Sequence, residues 1–144
     1  MTLLPEGSVK EQQSGLTIER LFEGQLVIFT LSDMKRETVD AWIDACLGEM
    51  RICLETGRLL RVIQDLSHPA ANHTPYSQKR GSEVTEAYPE LKGYVAFILE
   101  SSVEATRTQM FIRSQPHRYR VRDVFFDRDE AIIWIVQQSG LAST

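Results

Sequence analysis

The chain has 144 residues, 42% hydrophobic and 25% charged, with a formal net charge of -4 and a pI near 5.4. That is one domain's length, enough to bury roughly 68–70% of the extended chain's surface, so a true apolar core is expected. The acidic balance argues against a domain-wide electrostatic grip on nucleic acid or an anionic membrane, and no apolar run approaches the roughly 18–20 residues of a spanning helix.

Residues 1–14 are polar and aperiodic and read as a flexible arm. The start has neither the basic head nor the apolar centre of an export signal, so a cytoplasmic setting without membrane insertion is expected. Leu16 to Phe22 and Gln25 to Leu31, broken at Glu23-Gly24, read as a hairpin. The second strand, with LVIFTL from Leu26, is apolar on both faces and belongs inside the sheet, leaving its partner at the edge. From Arg36 to Thr56 the apolar positions Val39, Trp42, Ile43, Cys46, Leu47, Met50, Cys53 and Leu54 step by threes and fours, and Gly57 follows as a stop. This is a core-facing helix. Cys46 and Cys53 lie about two turns apart on one side of it, too far to bridge, and read as small buried hydrophobes.

Leu59 to Leu66 is the third strand. Thr74-Pro75 offers a cap and a first-turn proline for a helix to about Tyr88, weakly amphipathic through Tyr76, Arg80, Val84, Ala87 and Tyr88, interrupted by Gly81 and ended by Pro89. Tyr94 to Glu100 is the fourth strand, and Ser101 with Glu104 reads as a capping box for a helix through Met110 and Phe111 that stops before Pro116. Arg120 to Phe126 is the fifth strand, and Asp127 with Glu130 caps a last helix whose AIIWIV run is apolar nearly all round. The pattern is α/β: one domain over 15–138, in which an N-terminal β-hairpin leads into four β-α units. These make a mixed, mostly parallel five-stranded sheet covered by four helices, with 139–144 as a tail. A terminal helix without a polar face must bury both sides, which predicts a homodimer through Ile133 and Trp134.

The order strand, strand, helix, then strand-helix three times, with Asp65-Leu66-Ser67 closing the third strand and DEAIIW from Asp129 to Trp134 near the terminus, resembles the STAS and SpoIIAA-like family. These are relatives of the bacterial anti-sigma factor antagonists. The resemblance covers about residues 15–138 and implies a regulatory protein-interaction module. The family's phosphorylated serine sits in a D-S-S-G-like motif at the start of the second helix, and this chain reads SHPAANHTPYSQKRG there. Thr74 and Ser77 are the hydroxyls nearest that place. Lipid-carrying relatives of the same superfold have an apolar cavity, which implies a small-ligand alternative.

In open α/β sheets ligands bind beyond the carboxyl ends of the strands, so the candidate rim collects Ser32, Asp33, Asp65, Ser67, His68, Ser101, Ser102 and Asp127, with His73 and Thr74 at the end of the long loop and Ser77 just beyond. Asp65, His68 and His73 match no metal-ligand spacing, and Ser67 or Ser101 with His68 and Asp65 lacks a nucleophile elbow. Ser101 and Asp127 are explained by capping alone. The glycines never cluster into a phosphate cradle, so no nucleotide cofactor, and no other cofactor or metal, is expected. A basic stripe of Arg107, Arg113, His117, Arg118, Arg120, Arg122 and Arg128 puts Arg118, Arg120 and Arg122 on one strand face, either as a solvated edge or as a patch for an anionic partner. Trp42 and Trp134 fall at core spacing. The reading is a non-enzymatic regulatory or protein-interaction module. One alternative is a binder or carrier of a small apolar or anionic ligand, with a pocket between the second and third helices near Tyr76, Tyr88, Met110 and Phe111. The other is a hydrolase using the 65–73 loop.

Overall fold

Alternating strand and helix propensities resolve, in a computed structural model that describes residues 9–114 and 120–141, into a single sheet with helices on both faces. The strands are β1 (Val9–Gln13), β2 (Leu16–Leu21), β3 (Leu26–Leu31), β4 (Leu60–Asp65), β5 (Gly93–Ile98) and β6 (Arg120–Phe125); the helices are α1 (Arg36–Thr56), α2 (Pro75–Glu86), α3 (Val103–Ser114) and α4 (Arg128–Ser139). The sheet runs in chain order from β1 to β6, antiparallel across β1-β2-β3 and parallel from β3 onward. The α/β architecture with four helices is as expected, but the sheet has six strands rather than five. The extra one comes from the segment read as an arm: residues 9–13 pair with β2 from Val9↔Arg20 to Gln13↔Leu16, turning at Ser14, which adopts φ +55°. Lys10, Glu11, Gln12 and Gln13 are exposed, and an edge strand without a covered face needs no apolar alternation. β2 is therefore interior, with Leu16 and Leu21 fully buried.

The crossovers β3-α1-β4, β4-α2-β5 and β5-α3-β6 all step the same way across the sheet, and right-handed crossovers stepping one way put their helices on one face. α1 and α2 cover a core of Val27, Phe29, Leu60, Val62, Val95 and Phe97, while α4 covers the reverse face over Ile28, Ile63, Ala96 and Ile98. α1 spans the expected residues and ends at Gly57 in a left-handed turn (φ +71°). Cys46 and Cys53 are free and buried, and Trp42 is buried, as read from their spacing. α3 begins one residue later than expected: Ser102 Oγ, not Ser101, accepts from the Ala105 N–H at 3.0 Å. Asp127 caps α4 as expected, accepting from the Glu130 N–H at 3.2 Å. No helix among the described residues is long and apolar enough to cross a membrane.

On α4, Ala131, Ile132 and Ile135 are buried, and Trp134 packs against the Tyr94 and Phe125 rings with centroids 5.9 and 5.4 Å away. The helix thus uses Trp134 within its own chain, and Ile133, 44% exposed, is left facing outward. At its start, Arg128 reaches back to buried Glu19 of β2 through two hydrogen bonds of 3.0 and 2.8 Å. The Arg128 hydrogen bond holds Glu19 below the ordinary carboxylate pKa despite its burial. A carboxylate with a depressed folded-state pKa stabilises the fold above its unfolded value of about 4.5, and that stability is lost as pH falls through the folded value. Glu19→Gln should cost about 2 kcal/mol at pH 7, because Arg128 is left partly buried without its partner. Urea unfolding at a series of pH values should show the gap between wild type and variant closing as pH drops below about 4.5.

Candidate functional site

The rim at the carboxyl ends of the strands consists of turns that close on themselves. Asp65 Oδ1 accepts from the Ser67 N–H at 3.1 Å and the Ser67 hydroxyl at 2.6 Å, and His68 Nδ1 accepts from the Ala70 N–H at 3.0 Å. Asp33 accepts from the Lys35 N–H at 2.9 Å and from Thr38, and Ser32 Oγ donates to the Gly15 carbonyl at 3.2 Å. Gly15 fits closely here: a Cβ would collide with the Asp33 carboxylate and the Thr38 hydroxyl and force those side chains to move. Ser101 is exposed. Thr74 and Ser77 form the capping box of α2, the Thr74 oxygen accepting from the Ser77 N–H at 3.1 Å and Ser77 Oγ accepting from the Thr74 N–H at 2.8 Å. Ser77 has no solvent exposure. Its hydroxyl completes a helix end.

An open space lies one layer away, between the sheet and α1–α3. A cavity of about 810 Å³ is walled by Trp42, Ile43, Cys46 and Met50 of α1, Leu60, Val62, Val95 and Phe97 of the sheet, and Ile112 of α3. It reaches solvent past Gln78, Ser82 and Glu86, all exposed. Protein interiors are close-packed, so a void of this size has a cause. The cause is α2. Its cavity-side residues Ser77, Gly81, Val84 and Thr85 are small, and a Cβ built on Gly81 would meet no heavy atom within 4 Å. The expected pocket between α2 and α3 is present in outline, but its wall is not the aromatic set named for it. Tyr76 is held on the outer side, its hydroxyl donating to Asp40 with the Arg36 guanidinium 4.2 Å above its ring, and Met110 and Phe111 are 66% and 63% exposed.

α2 makes only partial apolar contact with the core, through Tyr76 and Val84, and is held in place mainly by charge. Arg80 pairs with Asp40 at 2.6 Å and Asp44 at 3.1 Å on α1 and with Glu83 at 2.8 Å. At the other end Arg120 of β6 donates to five carbonyls at the close of α2: Val84, Thr85, Ala87, Tyr88 and Leu91, at 2.9–3.4 Å. No basic residue stands in α2's own last turn, so Arg120 supplies from a distant strand the cation that a helix C-terminus favours. It also grips the carbonyl of Tyr88, whose φ of +47° is unusual for an aromatic residue. Of the predicted anionic patch, then, Arg120 is committed to the backbone. Arg122 faces the same way and lines the cavity, with no hydrogen bond or ion pair among the described residues; Arg118 lies outside them.

Deeper in the cavity, Gln64 is 6% exposed, accepts from Trp42 Nε1 at 2.7 Å and donates to Cys46 Sγ at 3.4 Å. Burial pushes the Cys46 thiol up to about 12. His73 keeps solvent contact, but its imidazole lies 6.4 Å from the Trp42 ring, and desolvation there lowers its pKa, favouring the neutral form at pH 7. His73 Nδ1 is 3.1 Å from Ser77 Oγ. His73 thus belongs to the cavity, whereas Asp65 and His68 close turns of their own. Gln64 was not among the residues singled out by sequence. Its signal was a lone polar residue at an inward strand position between Val62 and Leu66.

Comparison with family models, curated proteins and solved structures found no match. Arg120→Met should lower stability by about 2 kcal/mol, through the loss of charge-assisted bonds to the α2 terminus, and Arg120→Lys should recover only part of it. Urea midpoints with unchanged slopes would register both effects.

Proposed function

We propose that the protein is a non-enzymatic binding module, of the regulatory kind implied by its resemblance to SpoIIAA-like domains, that takes up a small, largely apolar ligand between its sheet and helices α1–α3. The observation that carries this reading is the cavity itself. Its volume of about 810 Å³ lies in the range of ligand pockets, roughly 300–1,000 Å³, and its wall pairs apolar side chains with a few placed polar ones. Of the residues in the hydrolase alternative, Asp65 and Ser67 close one turn together and His68 closes another, and Ser67, Ser101 and Ser102 do not meet an imidazole through any hydrogen bond among the described residues.

A space kept for a ligand and a mere packing fault respond differently to filling. Gly81→Ala should stabilise the fold by about 0.5–1 kcal/mol, because α2 gains helix propensity at a position with room for the methyl. Gly81→Leu should keep or raise the melting temperature and abolish ligand retention. Native mass spectrometry of gently purified wild type should show a bound small molecule that is missing from Gly81→Leu. A wild type that is bare under every gentle preparation, and that binds no added amphiphile, would refute the reading.

The interaction module with a homodimeric state is a second proposal, favoured by exposed apolar side chains: Val103, Met110 and Phe111 on α3 and Ile133 on α4. Self-association through α4 rests on Ile133. Sedimentation of wild type should give a dimer and Ile133→Glu a monomer; a monomeric wild type ends the proposal.

A further inference from the structure

Two arginines one pleat apart on β6 face the α1–α3 side, and among the described residues only one of them is engaged. Arg120 is saturated by the carbonyls that end α2. Arg122 sits in register with Val95 of β5, lines the cavity together with Ile112 and Phe97, and makes no hydrogen bond or ion pair among the described residues. A half-buried guanidinium against apolar walls loses hydration without a counter-charge to offset it, which is costly. Arg120 stands beside it, and burial first and the Arg122 charge second lower the pKa of Arg120, with Glu90 opposing them. The acidic groups nearby leave it open. Asp123, next in sequence and on the opposite face, is paired with Arg113 at 2.8 Å, while Glu86 at the exposed mouth and Glu90, whose charge acts on Arg120, make no ion pair among the described residues.

Building on the ligand-binding reading, we infer that Arg122 anchors the carboxylate head of an amphiphilic ligand, whose apolar tail lies across Val95 and Val62 toward Met50 beneath α1. The register Arg122↔Val95↔Val62 gives the row its direction, and two inter-strand steps span about 10 Å of apolar floor before α1 is reached. A guanidinium receives a carboxylate in a two-point fork. One available cation, with its neighbour saturated, suits a single negative charge better than the two of a phosphate ester. The polar groups around Gln64 and His73 sit toward the carboxyl end of β4, away from that row, and the imidazole is held toward its neutral form.

The test is calorimetric titration of the delipidated full chain with decanoate, 1-decanol and inorganic phosphate. Wild type should bind decanoate. Arg122→Gln should weaken it about 10- to 100-fold, as expected for losing hydrogen bonds to a charged group, with 1-decanol affected little. Arg122→Lys should fall between, because it keeps charge without the fork. Melting curves of Arg122→Gln at or above wild type would confirm that the loss is not one of folding. Equal decanoate affinity in wild type and both variants, with 1-decanol bound as well, would overturn the role of Arg122 while leaving the cavity reading in place. Phosphate binding as tight as decanoate would overturn the amphiphile. Failure of wild type to bind either ten-carbon probe would remove the ligand-binding reading on which the inference stands.

Discussion

Three consecutive parallel crossovers step in one direction, and the right-handedness that such units obey leaves this chain no choice about where α1, α2 and α3 go. All three lie on one face, and α4 with the β2-β3 hairpin must complete the other. A sheet wound one way also has no point at which strand order reverses, so it lacks the crevice in which doubly wound folds bind ligands beyond their strand ends. The rim residues accordingly spend their polar atoms on closing loops. Space for a ligand had to arise between layers, and it arises where one helix is built too thin to fill its place.

That helix is α2, and its attachment is unusual in kind. Ser77 is its one fully enclosed residue, and Tyr76 and Val84 are only partly buried against the core, so apolar burial contributes little to fixing it over β4 and β5. Two arginines do that work from the periphery. Arg80 ties its outer side to the acidic groups of α1, and Arg120 binds its terminal carbonyls from the edge strand. Charge-assisted hydrogen bonds are directional and act at a fixed reach. They can set the height of a helix above a sheet without demanding that the gap be filled, which a packed apolar face cannot do.

What the sequence disclosed follows the range of the forces involved. α1 was legible from end to end because its period and its glycine stop are local, and β3 was legible as an interior strand because both of its faces are apolar. β1 was hidden, since VKEQQ pairs at an edge through backbone alone. The cap of α3 slipped from Ser101 to Ser102, neighbours that share the same chemistry. The alternation of Arg120 and Arg122 could be read, but the partners of Arg120 lie 29–36 residues earlier in the chain and those of Arg122 are absent among the described residues, so nothing local separated the two. The cavity was foreshadowed by the weak apolar face of α2 and by Gly81. Its wall was not, because Trp42, Cys46 and Met50 look like ordinary core on a helix whose opposite number happens to be small.

Cys46 stands in that wall with a sulfur hydrogen still firmly attached at neutral pH. Only the deprotonated sulfur attacks electrophiles, so an alkylating reagent finds almost nothing to react with while the thiol stays buried. The residue is therefore a built-in gauge of breathing. Its labelling rate would report how often the sulfur becomes reachable, and any occupant of the space beside it would slow that rate without bonding to the sulfur.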